Sequence, residues 1–154
     1  MTNALSPQEV AERIAEVMFA NDTASQALGM EIQAVAPGYA KLSMTVREDM
    51  LNGHKTCHGG MLFALADSAF AFGCNAYNKI TVAQGCEITY LAPGRFGDIL
   101  TAECQEQALT GRSGVYDVKI TNQAGVSIAL FRGKSRRISG DVIPGLTPED
   151  PPRP

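Results

Sequence analysis

The feature that most constrains this chain is an almost wholly apolar segment, GGMLFALADSAFAFGCNA, at residues 59–76. Its apolar residues lie on nearly all sides of a helical wheel, so we predict a helix that is buried on most sides. One carboxylate, Asp67, interrupts the segment, which is shorter than the ~20 apolar residues that a bilayer span needs. The fold must therefore cover this helix and also accommodate an acid in its middle.

The residues before the loop at 47–58 predict two short helices. Ser6 is a candidate N-cap, Pro7 follows at the first helical position, and Glu9 completes a capping box. Apolar residues then recur at helical spacing to about residue 20. A further turn of helix is predicted for residues 23–28.

Six strands are predicted around the central helix, two before it and four after it. One apolar helix with mainly antiparallel strands indicates an α+β fold in which a curved sheet wraps around that helix. At 154 residues the chain fits one domain, residues 1–140, followed by a Pro-rich tail at 141–154 that we expect to be extended or disordered. The strands are predicted at about 30–36, 39–46, 80–91, 97–108, 112–122 and 125–138.

Composition excludes several classes of protein. A net charge of −3 argues against a dedicated nucleic-acid binder, and the N-terminus lacks the pattern of a secretory signal. With two histidines and no CxxC pair, we expect no metal site and no cofactor. Scattered thiols favour a reducing, cytoplasmic location. The four cysteines are Cys57, Cys74, Cys86 and Cys104.

Gly59 and Gly60 lie where the predicted loop meets the central helix. The first N–H groups of a helix have no internal partner and carry the positive end of the dipole, and without Cβ atoms a substrate oxygen can approach them closely. The pair is a candidate oxyanion hole for a carbonyl that becomes tetrahedral. The alternative is a tight turn with close helix packing.

Asp67 is the second candidate. An acid on a buried helix is costly unless it has a partner, a wet pocket or a chemical role. It is either a general base or nucleophile, or a structural acid bonded to Ser68 or to a neighbouring amide. Eight residues separate Gly59 from Asp67, so the two lie roughly 12 Å apart along one helix. Two antiparallel copies of the helix about a two-fold axis would bring them together, which predicts a dimer with two shared sites.

The loop offers further candidates. The amide of Asn52 either donates to the same oxyanion or orients a water, or it satisfies a turn. A Cys57–His58 nucleophilic pair is disfavoured because adjacent residues rarely face each other as required. We expect His58 to brace the loop by hydrogen bonding and Cys57 to fill apolar space.

A basic cluster lies on the last predicted strand. Arg132, Lys134 and Arg136 alternate, so they point to one face. The cluster is either a solvated strand that resists aggregation or an anion site for a phosphorylated ligand, aided by Arg95 and Arg112.

At this level of detail the chain resembles a known family. NGHKTCHGGMLFALADSAFA closely resembles the hotdog-fold acyl-CoA thioesterases, and within them the phenylacetic-acid-degradation thioesterases. The similarity extends from about Ala11 to Gly140 and includes the segments DMLNGH, LAPGRFGD, TGRSGVYDVKITNQ and IALFRGKSRRI.

The resemblance implies dimers assembled into tetramers, with each site at a dimer interface. It implies that the Gly59 N–H, next to His58, polarises the thioester carbonyl. Asp67 of the partner subunit would act as nucleophile or activate water, with Asn52 orienting it. Related subgroups place a Ser or Thr on the following strand, where this chain has Gln84, Gly85 and Cys86, so no hydroxyl is assigned there.

The expected activity is hydrolysis of aryl-acetyl-CoA thioesters: phenylacetyl-CoA, hydroxyphenylacetyl-CoA or ring-oxidised derivatives. Arg112, Arg132, Lys134 and Arg136 are the candidate CoA-binding residues. Two alternatives remain open at this point, a hydratase or dehydratase on the same scaffold and a non-enzymatic acyl-CoA-binding module.

Overall fold

Local capping signals define the first two helices of the computed structural model, which describes residues 4–148. Helix α1 (Pro7–Asn21) begins at Ser6, whose hydroxyl accepts a hydrogen bond from the Glu9 N–H. The Glu9 carboxylate accepts from the Ser6 N–H in return, at 2.8 Å, so the predicted capping box is present. Helix α2 (Thr23–Ala27) follows at once, capped by Asp22.

Six antiparallel strands form one sheet, as predicted. They are β1 (Glu31–Ala36), β2 (Tyr39–Thr45), β3 (Thr81–Tyr90), β4 (Ile99–Thr110), β5 (Ser113–Thr121) and β6 (Ser127–Arg137). Their spatial order is β1-β2-β4-β5-β6-β3, so β1 and β3 form the two edges. All five neighbouring pairs are antiparallel.

The central helix α3 (Gly59–Asn75) packs across this sheet and contacts all six strands. Its sheet-facing side is fully buried and forms the core together with alternate residues of the strands. Gly133 on β6 shows how tight this contact is, because a Cβ there would lie 2.7 Å from the Phe70 ring. The buried α3 side chains include Leu62, Leu65, Ala66, Ala69, Phe70 and Phe72.

Helix α3 is buried on most sides, as predicted, and Gly60 is its one exposed residue. Phe63, Ala64, Asp67 and Ser68 lie on its other face and are only half-buried in the single chain. The sheet covers one side of the helix, and α1 and α2 cover part of another. The half-buried strip of α3 is apolar apart from Asp67 and Ser68.

The chain after β6 is held in place as far as residue 148. Asn78, 1% exposed, donates to the carbonyls of Ile143 and Leu146 at 2.9 and 2.6 Å. It also accepts from the Ile143 N–H at 2.8 Å. Thus the described part of the predicted tail has no regular structure but is anchored, and residues 149–154 lie outside the described residues. No helix within residues 4–148 has the length and apolarity to cross a membrane.

Candidate active site

The loop before α3 is organised around Asn52. Its side-chain Oδ1 accepts from the His54 N–H at 2.9 Å, the Thr56 N–H at 3.2 Å and the Thr56 hydroxyl at 3.3 Å. The turn-forming alternative for Asn52 is therefore observed. Its Nδ2 makes no hydrogen bond to any residue from 4 to 148, so the donor end of the amide remains available.

His58 is the N-cap of α3. Its Nδ1 accepts from the Gly60 N–H at 2.9 Å, and its carbonyl accepts from the Met61 N–H at 2.8 Å. His58 therefore braces the start of the helix, in line with the prediction that it acts by hydrogen bonding. Because Gly60 is engaged in this way, Gly59 is left as the first N–H of the helix without an acceptor among the described residues.

Tyr90, at the end of β3, packs directly on Gly59. Its hydroxyl donates to the Gly59 carbonyl at 3.1 Å. A Cβ on Gly59 would lie 3.0 Å from both Cζ and Oη of Tyr90. A side chain at position 59 would therefore force the Tyr90 ring to shift by a few tenths of an ångström. Sequence analysis did not predict Tyr90, because nothing in its local pattern relates it to the helix start 31 residues earlier.

A cavity of about 380 Å³ opens at this place. It contains Asn52 and Gly59 together with Tyr90, so the structure brings two of the predicted catalytic residues to one surface. Asp67 does not line it. A larger cavity, about 680 Å³, lies on the outer sheet face and includes Arg132, but none of Asn52, Gly59 and Asp67.

Asp67 lies further along α3, two turns from Gly59. It is half-buried, and no residue from 4 to 148 donates a hydrogen bond to its carboxylate or forms an ion pair with it. Burial raises the pKa of Asp67, and the negative charge of Asp22 raises it further. Ser68 does not satisfy this acid, because its hydroxyl bonds to Ser25 at 2.8 Å.

The thiols are poorly suited to nucleophilic chemistry. Burial raises the pKa of Cys57 to about 11 and that of Cys74 to about 12. Burial also raises the pKa of Cys86 on β3, with a further contribution from Asp67. Cys57 is a buried filler, as predicted.

The predicted CoA-binding residues are exposed on the outer side of the sheet. Arg132, Lys134 and Arg136 alternate with buried residues along β6, as their spacing predicted. Arg132 already has a partner, since its Nε and Nη2 donate to the Asp117 carboxylate at 2.6 and 2.8 Å. Arg112 is exposed in the turn between β4 and β5.

Comparison with known proteins places this geometry in a family. Residues 54–129 match the family model described as the thioesterase superfamily. The acyl-coenzyme A thioesterase PaaI of Escherichia coli (strain K12) is 48% identical over 128 residues, which are 83% of this chain and 91% of that protein. This chain belongs to the thioesterase superfamily. The resemblance to hotdog thioesterases inferred from the residues is thereby confirmed.

Solved structures agree with this thioesterase assignment. The structure of E. coli PaaI, from the phenylacetic acid degradation operon, has a TM-score of 0.87 and 47% identity and covers 88% of this chain and 99% of that one. A mutant of the phenylacetic acid degradation protein PaaI of Thermus thermophilus has a TM-score of 0.73 and 38% identity, covering 76% and 100%. A hypothetical thioesterase of Streptococcus pneumoniae TIGR4, solved with coenzyme A, has a TM-score of 0.69 and 27% identity, covering 73% and 90%.

Proposed function

We propose that this protein hydrolyses arylacetyl-CoA thioesters, such as phenylacetyl-CoA, to the free acid and CoA in phenylacetate degradation. The observation that carries the proposal is a half-buried acid, Asp67, with no partner among residues 4–148, on the helix whose first residue, Gly59, lines a cavity. That the chain is a PaaI-like acyl-CoA thioesterase follows from its 48% identity to E. coli PaaI over most of both chains.

The chemistry requires two groups on opposite sides of the thioester carbonyl. The carbonyl oxygen accepts from the Gly59 N–H, which stabilises the oxyanion as the carbon becomes tetrahedral. Asp67 either takes a proton from the attacking water or attacks the carbon itself to give an anhydride that water then opens. The C–S bond breaks, CoA leaves as a thiolate that takes up a proton, and neither route uses a metal or prosthetic group.

We further propose that each site is shared between two subunits. Gly59 and Asp67 lie roughly 12 Å apart along one helix, too far to meet at one carbon. The cavity of the single chain contains Asn52 and Gly59 but not Asp67, which supports a site completed by Asp67 of the partner subunit. A dimer of dimers in the cytoplasm is the assembly that we propose.

Asn52 would assist the same oxyanion or orient the attacking water. Its Oδ1 is saturated by the loop, so only the Nδ2 donor is free for this role. The Nδ2 group can donate a hydrogen bond to an oxyanion, or to the oxygen of a water molecule and so orient it. His58 would act indirectly, by fixing the helix start.

The phosphates of CoA would meet the exposed basic residues of the outer sheet face. Arg112, Lys134 and Arg136 have no ion-pair partner within residues 4–148 and are the stronger candidates. Arg132 would first have to exchange its bidentate bond to Asp117. Substitution of each residue by Ala should raise KM for the CoA thioester, with the smallest effect at Arg132.

The decisive experiment is thiol release followed with a chromogenic disulfide. The substrates are phenylacetyl-, hydroxyphenylacetyl-, benzoyl- and straight-chain acyl-CoAs, with wild type beside Asp67→Asn. We expect arylacetyl substrates to be turned over fastest and the variant to lose at least ~100-fold. Activity on straight chains only would retain the mechanism and overturn the substrate. An absence of thiol release would overturn the hydrolase and favour a binding module.

A second variant, His58→Ala, tests the role of the N-cap of α3. Loss of the N-cap should weaken the helix start and reduce the rate moderately. Complete loss of thiol release with intact substrate binding would instead give His58 a direct role in the chemistry. A His-dependent hydratase would release no thiol even as wild type.

A further inference from the structure

A chain of three hydrogen-bonded side chains reaches α3 next to Asp67. The Ser25 hydroxyl donates to Asp22 Oδ2 at 2.6 Å and lies 2.8 Å from the Ser68 hydroxyl. Asp22 Oδ1 also accepts from the Ser25 N–H at 2.9 Å. Ser25 is 2% exposed, so this chain is shielded from water in its middle.

The direction of the hydrogen bonds follows from counting protons. An ionised carboxylate only accepts, so the single hydroxyl proton of Ser25 is used on Asp22. Ser25 must therefore accept from Ser68, and Ser68 must donate. The Ser68 hydroxyl therefore donates to the Ser25 hydroxyl, which in turn donates to the negatively charged Asp22 carboxylate.

These residues lie where the N-terminal helices dock on the central helix. Asp22 joins α1 to α2, Ser25 belongs to α2, and Ser68 follows Asp67 on α3. One turn further along α3, Phe72 packs against Phe19 of α1, with ring centroids 6.3 Å apart. The N-terminal helices therefore contact α3 at the helical turn that carries Asp67.

We propose that Asp22, Ser25 and Ser68 form a positioning relay, which docks the N-terminal helices on α3 and sets the orientation and electrostatic environment of Asp67 during thioester hydrolysis. The inference rests on the proposed function, in which Asp67 is the catalytic acid group. The three residues do not touch the substrate; they act through Asp67.

The charges around Asp67 support this role. The titratable groups close enough to interact with its charge are the Asp22 carboxylate at the α1–α2 junction, the Cys86 thiol on β3 and the Cys74 thiol on its own helix. No Lys or Arg within residues 4–148 forms an ion pair with Asp67. Asp22 is thus the one of these groups whose charge raises the pKa of Asp67, in addition to burial.

A raised pKa makes Asp67 a stronger base once it is ionised. Removal of the Asp22 charge should lower the pKa of Asp67, so the acid limb of the kcat/KM profile should move to lower pH. The weaker base should also lower kcat at the plateau. Substrate binding should change little, because Asp22, Ser25 and Ser68 do not contact the substrate in this proposal.

The test compares pH profiles with phenylacetyl-CoA for wild type and Asp22→Asn. Asn is as good an N-cap as Asp, so this change removes the charge while keeping α2 capped. We expect the acid limb to shift to lower pH and kcat to fall on the order of 3- to 10-fold with KM nearly constant. Asp141→Asn is the charge-matched control, because that carboxylate pairs with Lys79 instead.

The positioning part is tested by Ser25→Ala, Ser68→Ala and the double variant. Ser25→Ala removes the bonds to both Asp22 and Ser68, whereas Ser68→Ala removes only the bond to Ser25. Ser25→Ala should therefore lower kcat at least as much as Ser68→Ala, and the double variant should lose no more than Ser25→Ala alone. Ser43→Ala, which removes a hydroxyl that accepts from Gln33, is the matched control.

Several outcomes would overturn the relay. If the pH profile of Asp22→Asn superimposes on the profiles of wild type and Asp141→Asn, Asp22 has no electrostatic effect on Asp67. Unchanged kcat in both Ser variants, or fully multiplicative losses, removes the positioning role. If Asp67→Asn stays active, the proposed mechanism fails and the relay fails with it. An inactive Asp67→Asn beside normal Asp22→Asn, Ser25→Ala and Ser68→Ala variants overturns the relay alone.

Discussion

At the scale of single residues, the proposed site depends on an acid whose position is unfavourable for stability. Asp67 is half-buried, has no partner in the described chain and lies within reach of the Asp22 charge. Such a group gains nothing from folding in its ionised form. The proposed catalytic role would account for this position, and the cost of Asp67 to the stability of the fold can be measured.

We predict that Asp67→Asn is more stable than wild type at neutral pH. The pKa of Asp67 is raised in the folded state, so its native form binds protons more readily than its unfolded form, and stability falls as pH rises through the window between the two pKa values. The side-chain amide of the variant does not ionise, so the variant does not lose stability in this way. The midpoint of thermal unfolding should rise by about 2 °C at pH 7, and the gain should disappear at low pH. A lower midpoint at pH 7 would contradict the prediction.

Gly59 allows the oxyanion donor to be tested by a matched pair of variants. Ala and Pro both add a Cβ against Tyr90, but only Pro removes the N–H. Pro is favoured at the first position of a helix, and the extended backbone of His58 (ψ 134°) is compatible with a following Pro.

We therefore predict that Gly59→Pro lowers kcat on the order of 100-fold further than Gly59→Ala, the range expected for one lost oxyanion donor. Steady-state rates with phenylacetyl-CoA measure this difference, and circular dichroism checks that both variants fold. Equal rates for the two variants would remove the Gly59 N–H from the mechanism.

Residue identity predicted Asn52, Gly59 and Asp67 as candidates, since their chemistry and spacing are legible in one segment. It did not predict Tyr90, Asp22 or Ser25. Their roles arise from contacts between elements far apart in sequence, which no local pattern encodes. The pairing of Arg132 with Asp117 was missed for the same reason.

At the scale of elements, hydrophobic periodicity and turn chemistry were sufficient. Every α-helix and strand was predicted within about two residues of its observed bounds, because caps and Gly-containing turns mark them. Gly125, in the left-handed region (φ 78°), closes the turn between β5 and β6. The sheet order and the anchoring of residues 141–148 were not predictable, since both depend on long-range partners.

The anchoring of that segment depends on Asn78. We predict that Asn78→Ala lowers the free energy of unfolding by about 2–4 kcal/mol, from three lost hydrogen bonds and a left-handed backbone (φ 61°) that Ala adopts poorly. Asn78→Gly should be about 1 kcal/mol less costly, because it removes the bonds without the strain. Urea unfolding measures both. Equal stability of Ala and Gly variants would contradict the strain contribution.

At the scale of the whole molecule, the proposal of shared sites makes a quantitative prediction. In a mixed dimer of Asp67→Asn and Gly59→Pro subunits, one site contains both defects and the other contains neither. Random mixing makes half of the dimers mixed, so two inactive proteins should together recover about 25% of wild-type activity.

The experiment requires co-expression with two affinity tags and isolation of the mixed species, in which one of the two sites is intact and about 50% of wild-type activity is expected. Mixed wild-type dimers carrying the same tags serve as the control. No recovery in a verified mixed dimer would place Gly59 and Asp67 in the same subunit's site and overturn the shared arrangement.

The lack of a cation beside Asp67 also has a consequence for the end of the reaction. In the proposed mechanism, hydrolysis converts the neutral thioester group into a carboxylate, which forms next to Asp67 as that acid returns to its ionised state. Two anions in a half-buried space repel each other, and no Lys or Arg in the described chain forms an ion pair with Asp67 to hold the new one there. Under the proposed mechanism this repulsion weakens binding of the acid product, so we expect the arylacetate to be a poor inhibitor.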